Sequence, residues 1–256
     1  MLRQAIRETG LEKYTDIILK VARESIKITV TDEIEALTVG ESRIGGPPDL
    51  ASELQWPKYG YQNKENALSV YYFQVNLSDL PKYIGPSLPK QGLLSIFATS
   101  QNQLEDDGTV IYNSDIKTLS TQRLPDIKEF GDEDLDEICH CPVCFHKPRK
   151  LSFEKSISLP GYLYTPRGID DEYDIDKYFE IVDQIPRLAG HELGDMFSYY
   201  YQGLPEERNP EWFSLFNLYS DGMYFSFGDC GNTAISVLRN KAQAGDFTGA
   251  EFNYCE

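Results

Sequence analysis

The sequence predicts an α+β protein of mainly antiparallel β-sheets, built from two divergent internal repeats, with an N-terminal helix and a short C-terminal helix. Three observations carry that expectation. Seventeen tyrosines and 13 phenylalanines among 256 residues favour strands, where aromatic rings pack on a half-buried pleated surface. Short apolar runs of strand length stand between glycine and proline turns. One order of signals occurs twice: a glycine turn, an aromatic strand, a glycine, a second aromatic strand.

Taken along the chain, residues 1–25 form an amphipathic helical segment. Leu2, Ile6, Tyr14, Ile17, Ile18 and Val21 recur at helical spacing between charged residues, and Gly10 breaks the run. This face is expected to pack on the main body. Ile26, Ile28 and Val30 then alternate with Lys27 and Thr29 as a short strand. The stretch Ser42-Arg43-Ile44-Gly45-Gly46-Pro47-Pro48-Asp49-Leu50, closing at Trp56-Pro57, reads as a rigid loop. Two glycines followed by two prolines cannot continue a helix or a central strand, and the proline after Trp56 holds the indole in an extended segment.

Residues 67–77 predict a strand, 93–98 a second one antiparallel to it, and 109–112 a third. Between Asp126 and Glu137 lie seven acids and one lysine, the composition of an exposed loop. A cysteine-rich segment follows directly, and Leu151 to Phe153 resume a strand. Residues 170–185 predict a helix with Tyr178, Phe179, Ile181, Val182 and Ile185 on its apolar face and aspartate at its start. Near the end, 233–239 predicts a short helix closing at Gly245, and Asp246-Phe247 opens a last extended segment.

The repeated order matches Ile44-Gly45-Gly46 with Leu193-Gly194-Asp195. It matches Phe73–Leu77 with Ser214–Leu218, and Gly92–Phe97 with Gly222–Phe227. The domain organisation is therefore a helical segment, 1–25, on a single domain, 26–256. That domain holds pseudo-repeats at about 26–115 and 186–256, joined by an acidic, cysteine-containing insert.

The glycine-proline stretch, Trp56-Pro57, Tyr72–Leu77 and Gly92–Phe97 together resemble the YwqG-like family, a bacterial domain family without an assigned function. The resemblance extends over roughly residues 26–252, through His191 to Gly194, Ser214 to Leu218, Gly222 to Phe227 and Asp246-Phe247. It implies an α+β fold rich in antiparallel sheet with an internal duplication. It implies no catalytic residues, and the cysteine segment is not part of the pattern.

The totals narrow the function classes. The formal charge is −17, from 41 acids and 24 bases. Nucleic-acid binding needs a positive footprint, and an anionic membrane surface needs the same; neither is expected. A basic protein partner is the class this charge suits. No apolar run approaches the roughly 18 residues of a membrane span, and the first residues lack a secretory pattern. Five cysteines, three of them within six residues, read as a reducing, cytoplasmic setting.

Cys139, Cys141, Cys144 and His146 are the densest soft ligands in the chain. The two residues between Cys141 and Cys144 give knuckle spacing, and the four side chains suit a structural Zn²⁺, with Cys230 or Cys255 able to complete the set. Free cysteines in a loop and regulatory thiols are the other readings of the same residues. His191-Glu192-Leu193-Gly194-Asp195 lacks the second histidine of a zinc protease. Asp132, Asp134 and Asp136 lack the glycine and glutamate of a calcium loop. No nucleophile elbow or phosphate loop occurs, so no catalytic residue is assigned.

Gly45 and Gly46 would let a backbone approach a ligand, with Trp56, Gln74, Asn76 and Asn217 as polar or aromatic neighbours. The expectation is a non-enzymatic binding or interaction module. The alternatives are an enzyme or small-ligand protein with a pocket between the two halves, and an acidic immunity-type protein for a basic toxin.

Overall fold

The computed structural model describes residues 2–61, 64–81, 88–100, 103–130, 142–160, 165–184, 191–193, 211–219 and 232–255. The chain opens with helix α1 (Leu2–Glu8), a 3₁₀ turn (Glu12–Tyr14) and helix α2 (Thr15–Val21). Gly10 lies at the break with φ +74°, a left-handed conformation that costs glycine little. Leu2, Ile6, Leu11, Ile18 and Val21 join Tyr178, Ile181 and Val182 of helix α3 (Glu172–Gln184) in an apolar cluster separate from the main core. Tyr14 and Lys13 both reach Asp174 of α3, at 3.0 and 2.7 Å. The Tyr178 hydroxyl donates to the Pro160 carbonyl at 2.9 Å.

The main body is antiparallel sheet. Its strands are β1 (Arg23–Glu33), β2 (Arg43–Ile44), β3 (Asp49–Ala51), β4 (Lys58–Tyr61), β5 (Lys64–Leu68), β6 (Val70–Asn76), β7 (Leu93–Ser100), β8 (Gln103–Asn113), β9 (Leu119–Thr121), β10 (Arg149–Ser158), β11 (His191–Leu193), β12 (Trp212–Tyr219), β13 (Asn232–Leu238) and β14 (Glu251–Cys255). Helix α4 (Arg239–Ala244) lies between the last two. Ten strands form one sheet in the order β14-β13-β12-β11-β1-β10-β2-β6-β7-β8, with β3–β9 and β4–β5 as separate pairs. The end strands β8 and β14 pack on each other, Gly108 lying under the Phe252 ring where a Cβ would collide with it. The sheet thus coils around its own core. Phe73 of β6 meets Phe216 of β12 edge to face at 5.0 Å inside it, a favoured aromatic geometry.

The strand order reads the same outward in both directions from the central β1–β10 pair. Beside that pair stand two very short strands, β2 and β11, and each is followed outward by a longer strand with a register shift. The shift falls between Tyr71 and Phe73 on β6 and between Ser214 and Phe216 on β12.

Several expectations change in detail. Residues 232–238 are strand β13, not part of a helix. Thr233, Ile235 and Val237 on one face and Ala234 and Ser236 on the other are all at most 1% exposed. The β-branched Thr233, Ile235 and Val237 alternate with the small Ala234 and Ser236, a strand signal of size instead of polarity, and only Arg239–Ala244 is helical. Gly245 closes that helix as expected, with φ +75°. The 67–77 run divides at Ser69, whose N–H bonds to the Pro57 carbonyl and whose carbonyl accepts from Trp56 Nε1 at 2.7 Å. In the acidic segment, Ile127–Phe130 forms a 3₁₀ turn that buries Phe130 to 2% exposure among Trp56 and Phe145. The rest of that segment, Gly222–Phe227 and Gly194-Asp195 lie outside the described residues. No described helix is long and apolar enough to cross a membrane.

Candidate functional site

The glycine-proline stretch folds in two parts. Arg43 and Ile44 enter the large sheet between β10 and β6. Gly45 and Gly46 then take φ +73° and +67°, and the chain doubles back. Gly45 N donates to Tyr72 O and Gly46 N to His146 O. A Cβ on Gly45 would press on the carbonyls of Val143, His146 and Lys147, each at 3.3 Å, so glycine is set here by close backbone packing.

The doubling back brings Asp49 against Arg43. The guanidinium grips the carboxylate with both Nη atoms, Nη1 to Oδ2 and Nη2 to Oδ1, each at 2.9 Å. Both side chains are fully buried. Arg43 Nη2 also donates to the Pro47 carbonyl at 2.7 Å. Asp49 accepts three more hydrogen bonds, from Gly40 N at 2.8 Å, Gln74 Nε2 at 2.7 Å and Thr121 Oγ1 at 2.6 Å. Gln74 Oε1 in turn accepts from Asp49 N at 3.0 Å. Burial by itself would raise the Asp49 pKa; the bonds from Arg43, Thr121 and Gln74 outweigh it and hold the carboxyl below its ordinary value. The Tyr71 hydroxyl and Arg43 Nε are buried beside this network without a hydrogen bond to a described residue. Burial pushes the Tyr71 phenol up, so it stays neutral.

On the other side of the network the sheet parts. Strand β2 is two residues long, and beyond it β10 and β6 run on without each other. A cleft of about 470 Å³ opens there, lined by Thr38, Gly40, Glu41, Asn76, Asp79 and Lys150, with Leu151, Ser152 and Phe153 of β10 along one wall. Ser42 pins its apex. Its carbonyl accepts from Leu151 N at 3.1 Å, and its hydroxyl donates to Asp79 Oδ2 at 2.7 Å and accepts from Asn76 N at 2.8 Å. Asn76 Nδ2 donates to the Gly40 carbonyl at 2.9 Å. Glu41 faces Lys150 at 3.7 Å, whereas no described cation pairs with Asp79. The lining holds carboxylates, hydroxyls, an amide and one lysine, and neither histidine nor cysteine. It can accept hydrogen bonds and positive charge; it has no nucleophile paired with a base.

Of the residues expected from the sequence, Gln74 belongs to the network and Asn76 lines the cleft. Gly45 and Gly46 lie behind β2, under residues 143–147. Trp56 is half-buried against Phe97 and Phe130, at 5.6 and 6.0 Å. Asn217 is 1% exposed on β12, across the β1–β10 pair from the cleft. Of the proposed zinc ligands, Cys144 is fully buried in the main core and His146 is half-buried; Cys139 and Cys141 lie outside the described residues. Among the described residues no three His, Cys, Asp or Glu side chains gather as a metal site.

Sequence reasoning missed Arg43, Asp49, Thr121 and Asp79. The available signal was an arginine and an aspartate flanking a loop that must reverse direction.

No curated protein matches the chain. Residues 42–255, from the serine at the apex of the cleft almost to the chain end, match one family model, and the chain belongs to that family, described as a domain of unknown function (DUF1963).

Proposed function

We propose that this protein is a non-enzymatic binding module that holds a basic segment of a protein partner in the cleft between β10 and β6. The observation that carries the reading is how the charges are used. The fully buried charged pair, Arg43–Asp49, is engaged by internal hydrogen bonds and braces the wall of the cleft. In the open cleft beside it, no described cation pairs with Asp79, and the described lining holds no nucleophile–base pair. The formal charge of −17 would steer a basic partner toward it.

The finer resemblance to the YwqG-like family is compatible with the family assignment and belongs to the same proposal. So does an internal duplication. The palindromic strand order supports it and would carry the second unit back from about residue 186, where the sequence puts it, to β10 (Arg149–Ser158).

The test is a titration with tetra-lysine at 20 mM salt, followed by thermal stabilisation. The cleft reading expects saturable stabilisation that is screened at 300 mM salt and lost in Asp79→Lys. Absence of binding at low salt, or binding indifferent to Asp79→Lys, would overturn it.

A further inference from the structure

Strand β10 is paired on one side along its whole length, from Arg23↔Ser158 to Val30↔Leu151 and then Glu33↔Arg149. On its other side it meets β2 only at Arg149 and Lys150, and the last bond there is Leu151 N to Ser42 O. In an antiparallel ladder, alternate residues turn their main-chain groups to opposite neighbours. Leu151 turns outward, so Phe153, Lys155 and Ile157 do too. Their three N–H and three C=O groups make no hydrogen bond to a described residue. This edge, open among the described residues, starts in the wall of the cleft, at Ser152 and Phe153. Glu154 and Lys155 at its centre are exposed.

Resting on the binding reading above, we infer that the partner's basic segment docks as an added β-strand along the β10 edge, entering the gap that β2 leaves open. A row of alternating donors and acceptors without a described partner is a template for an extended peptide, and main-chain pairing supplies affinity that depends little on sequence. Charge supplies the selection. An extended strand would enter the gap with one end beside Asp79 and Glu41, where a lysine or arginine side chain meets the Asp79 carboxylate, which no described cation neutralises, and an acidic one is repelled. Along the edge Glu154 and Lys155 offset each other, and Lys150 is drawn to Glu41, so the selecting charge is that of Asp79 at the cleft end.

The probe is a fluorescent octapeptide of alternating lysine and valine, compared with an alternating glutamate–valine octapeptide by anisotropy at low salt. A third peptide has the lysine–valine sequence with every second amide N-methylated, which removes donors from one edge at constant charge. The expected result is at least tenfold weaker binding for the glutamate–valine peptide and for the N-methylated peptide. Lys155→Pro deletes one outward N–H without touching the ladder to β1, the setting in which an edge strand tolerates proline. It should weaken the lysine–valine peptide at least tenfold and leave tetra-lysine binding unchanged. Should that variant fail to fold, the N-methylated peptide still decides, because it leaves the protein unaltered.

Equal binding of the N-methylated and parent peptides would overturn strand addition and leave the cleft reading standing. Failure of both tetra-lysine and the octapeptide to bind would remove both. Sedimentation showing self-association abolished by Lys155→Pro would overturn it differently, by assigning the edge to a second copy of the chain.

Discussion

Breaking the Arg43–Asp49 pair tests whether the wall of the cleft is rigid because of it. Both side chains are fully buried, and removing one partner of a buried pair strands the other charge, at a cost of about 3–5 kcal/mol. Arg43→Met leaves Asp49 with its neutral donors and an uncompensated negative charge. Asp49→Leu leaves Arg43 charged and also orphans Gly40 N, Gln74 Nε2 and Thr121 Oγ1. In the double variant no charge is stranded. What remains is the loss of an acceptor for those three donors, about 1 kcal/mol each at the low end of the usual range. The double variant should therefore cost about 3 kcal/mol, no more than either single one. Urea unfolding of the four proteins, with unchanged m-values, measures this directly. Additivity of the two single effects to within about 0.5 kcal/mol would refute the reasoning, because it would mean the groups do not interact.

Three further outcomes follow from other contacts. Trp56→Ala removes two edge-to-face ring contacts and the Nε1 bond to Ser69; it should cost about 3 kcal/mol in chemical unfolding, and a cost below about 1 kcal/mol would show that the indole does not anchor the loop. Stability should fall in acid. Asp49 and Asp174 both have lowered pKa values, Asp49 by its bonds overcoming burial and Asp174 chiefly through Lys13. The stability they confer is complete above the ordinary aspartate pKa of about 3.9 and is lost as pH falls through the lower folded values. Unfolding free energy measured from pH 6 to pH 2 should drop less steeply in the Arg43→Met, Asp49→Leu double variant, and an identical slope would contradict the assignment. For the cysteine segment we propose one structural Zn²⁺ per chain in protein purified without chelator. A metal-free preparation of unchanged thermal stability would reject it.

The parts of the fold legible in the sequence are those where one periodicity dominates. Ile26, Ile28 and Val30 alternate with polar residues and are strand; Tyr178, Ile181 and Val182 recur at helical spacing and face a helical cluster. Residues 232–238 failed because both faces are buried, so the alternation there is between β-branched and small residues and not between apolar and charged ones. Ile127–Phe130 failed for a different reason: a single aromatic residue, Phe130, outweighs its charged neighbours once a cavity beside Trp56 accepts it. Of the residues expected near a ligand, Gln74 and Asn76 stand at the network and the cleft, whereas Asn217, an amide in an equally aromatic strand, lies across β1–β10 from them. The Arg43–Asp49 pair was not found. Its two members are separated by a loop whose course depends on which carbonyls pack over Gly45, and that is a tertiary fact without a local spacing.

The two sides of the sheet differ where it matters for binding. At the register position of the Arg43–Gln74 pair in β2–β6 stands Glu192 opposite Asn217 in β11–β12, and the residues after Leu193 read Gly-Asp-Met where those after Ile44 read Gly-Gly-Pro-Pro-Asp. An aspartate lock of the first kind needs an arginine on the short strand and a reversal that returns a carboxylate to it. The second side has glutamate in the arginine's place. Among the described residues, the strand order shared by both sides of β1–β10 carries the arginine–aspartate brace on the β2 side. A cleft binds well when its walls are fixed before the ligand arrives, and the buried Arg43–Asp49 pair fixes the wall on this side; that is why the binding reading we propose is tested beside Arg43.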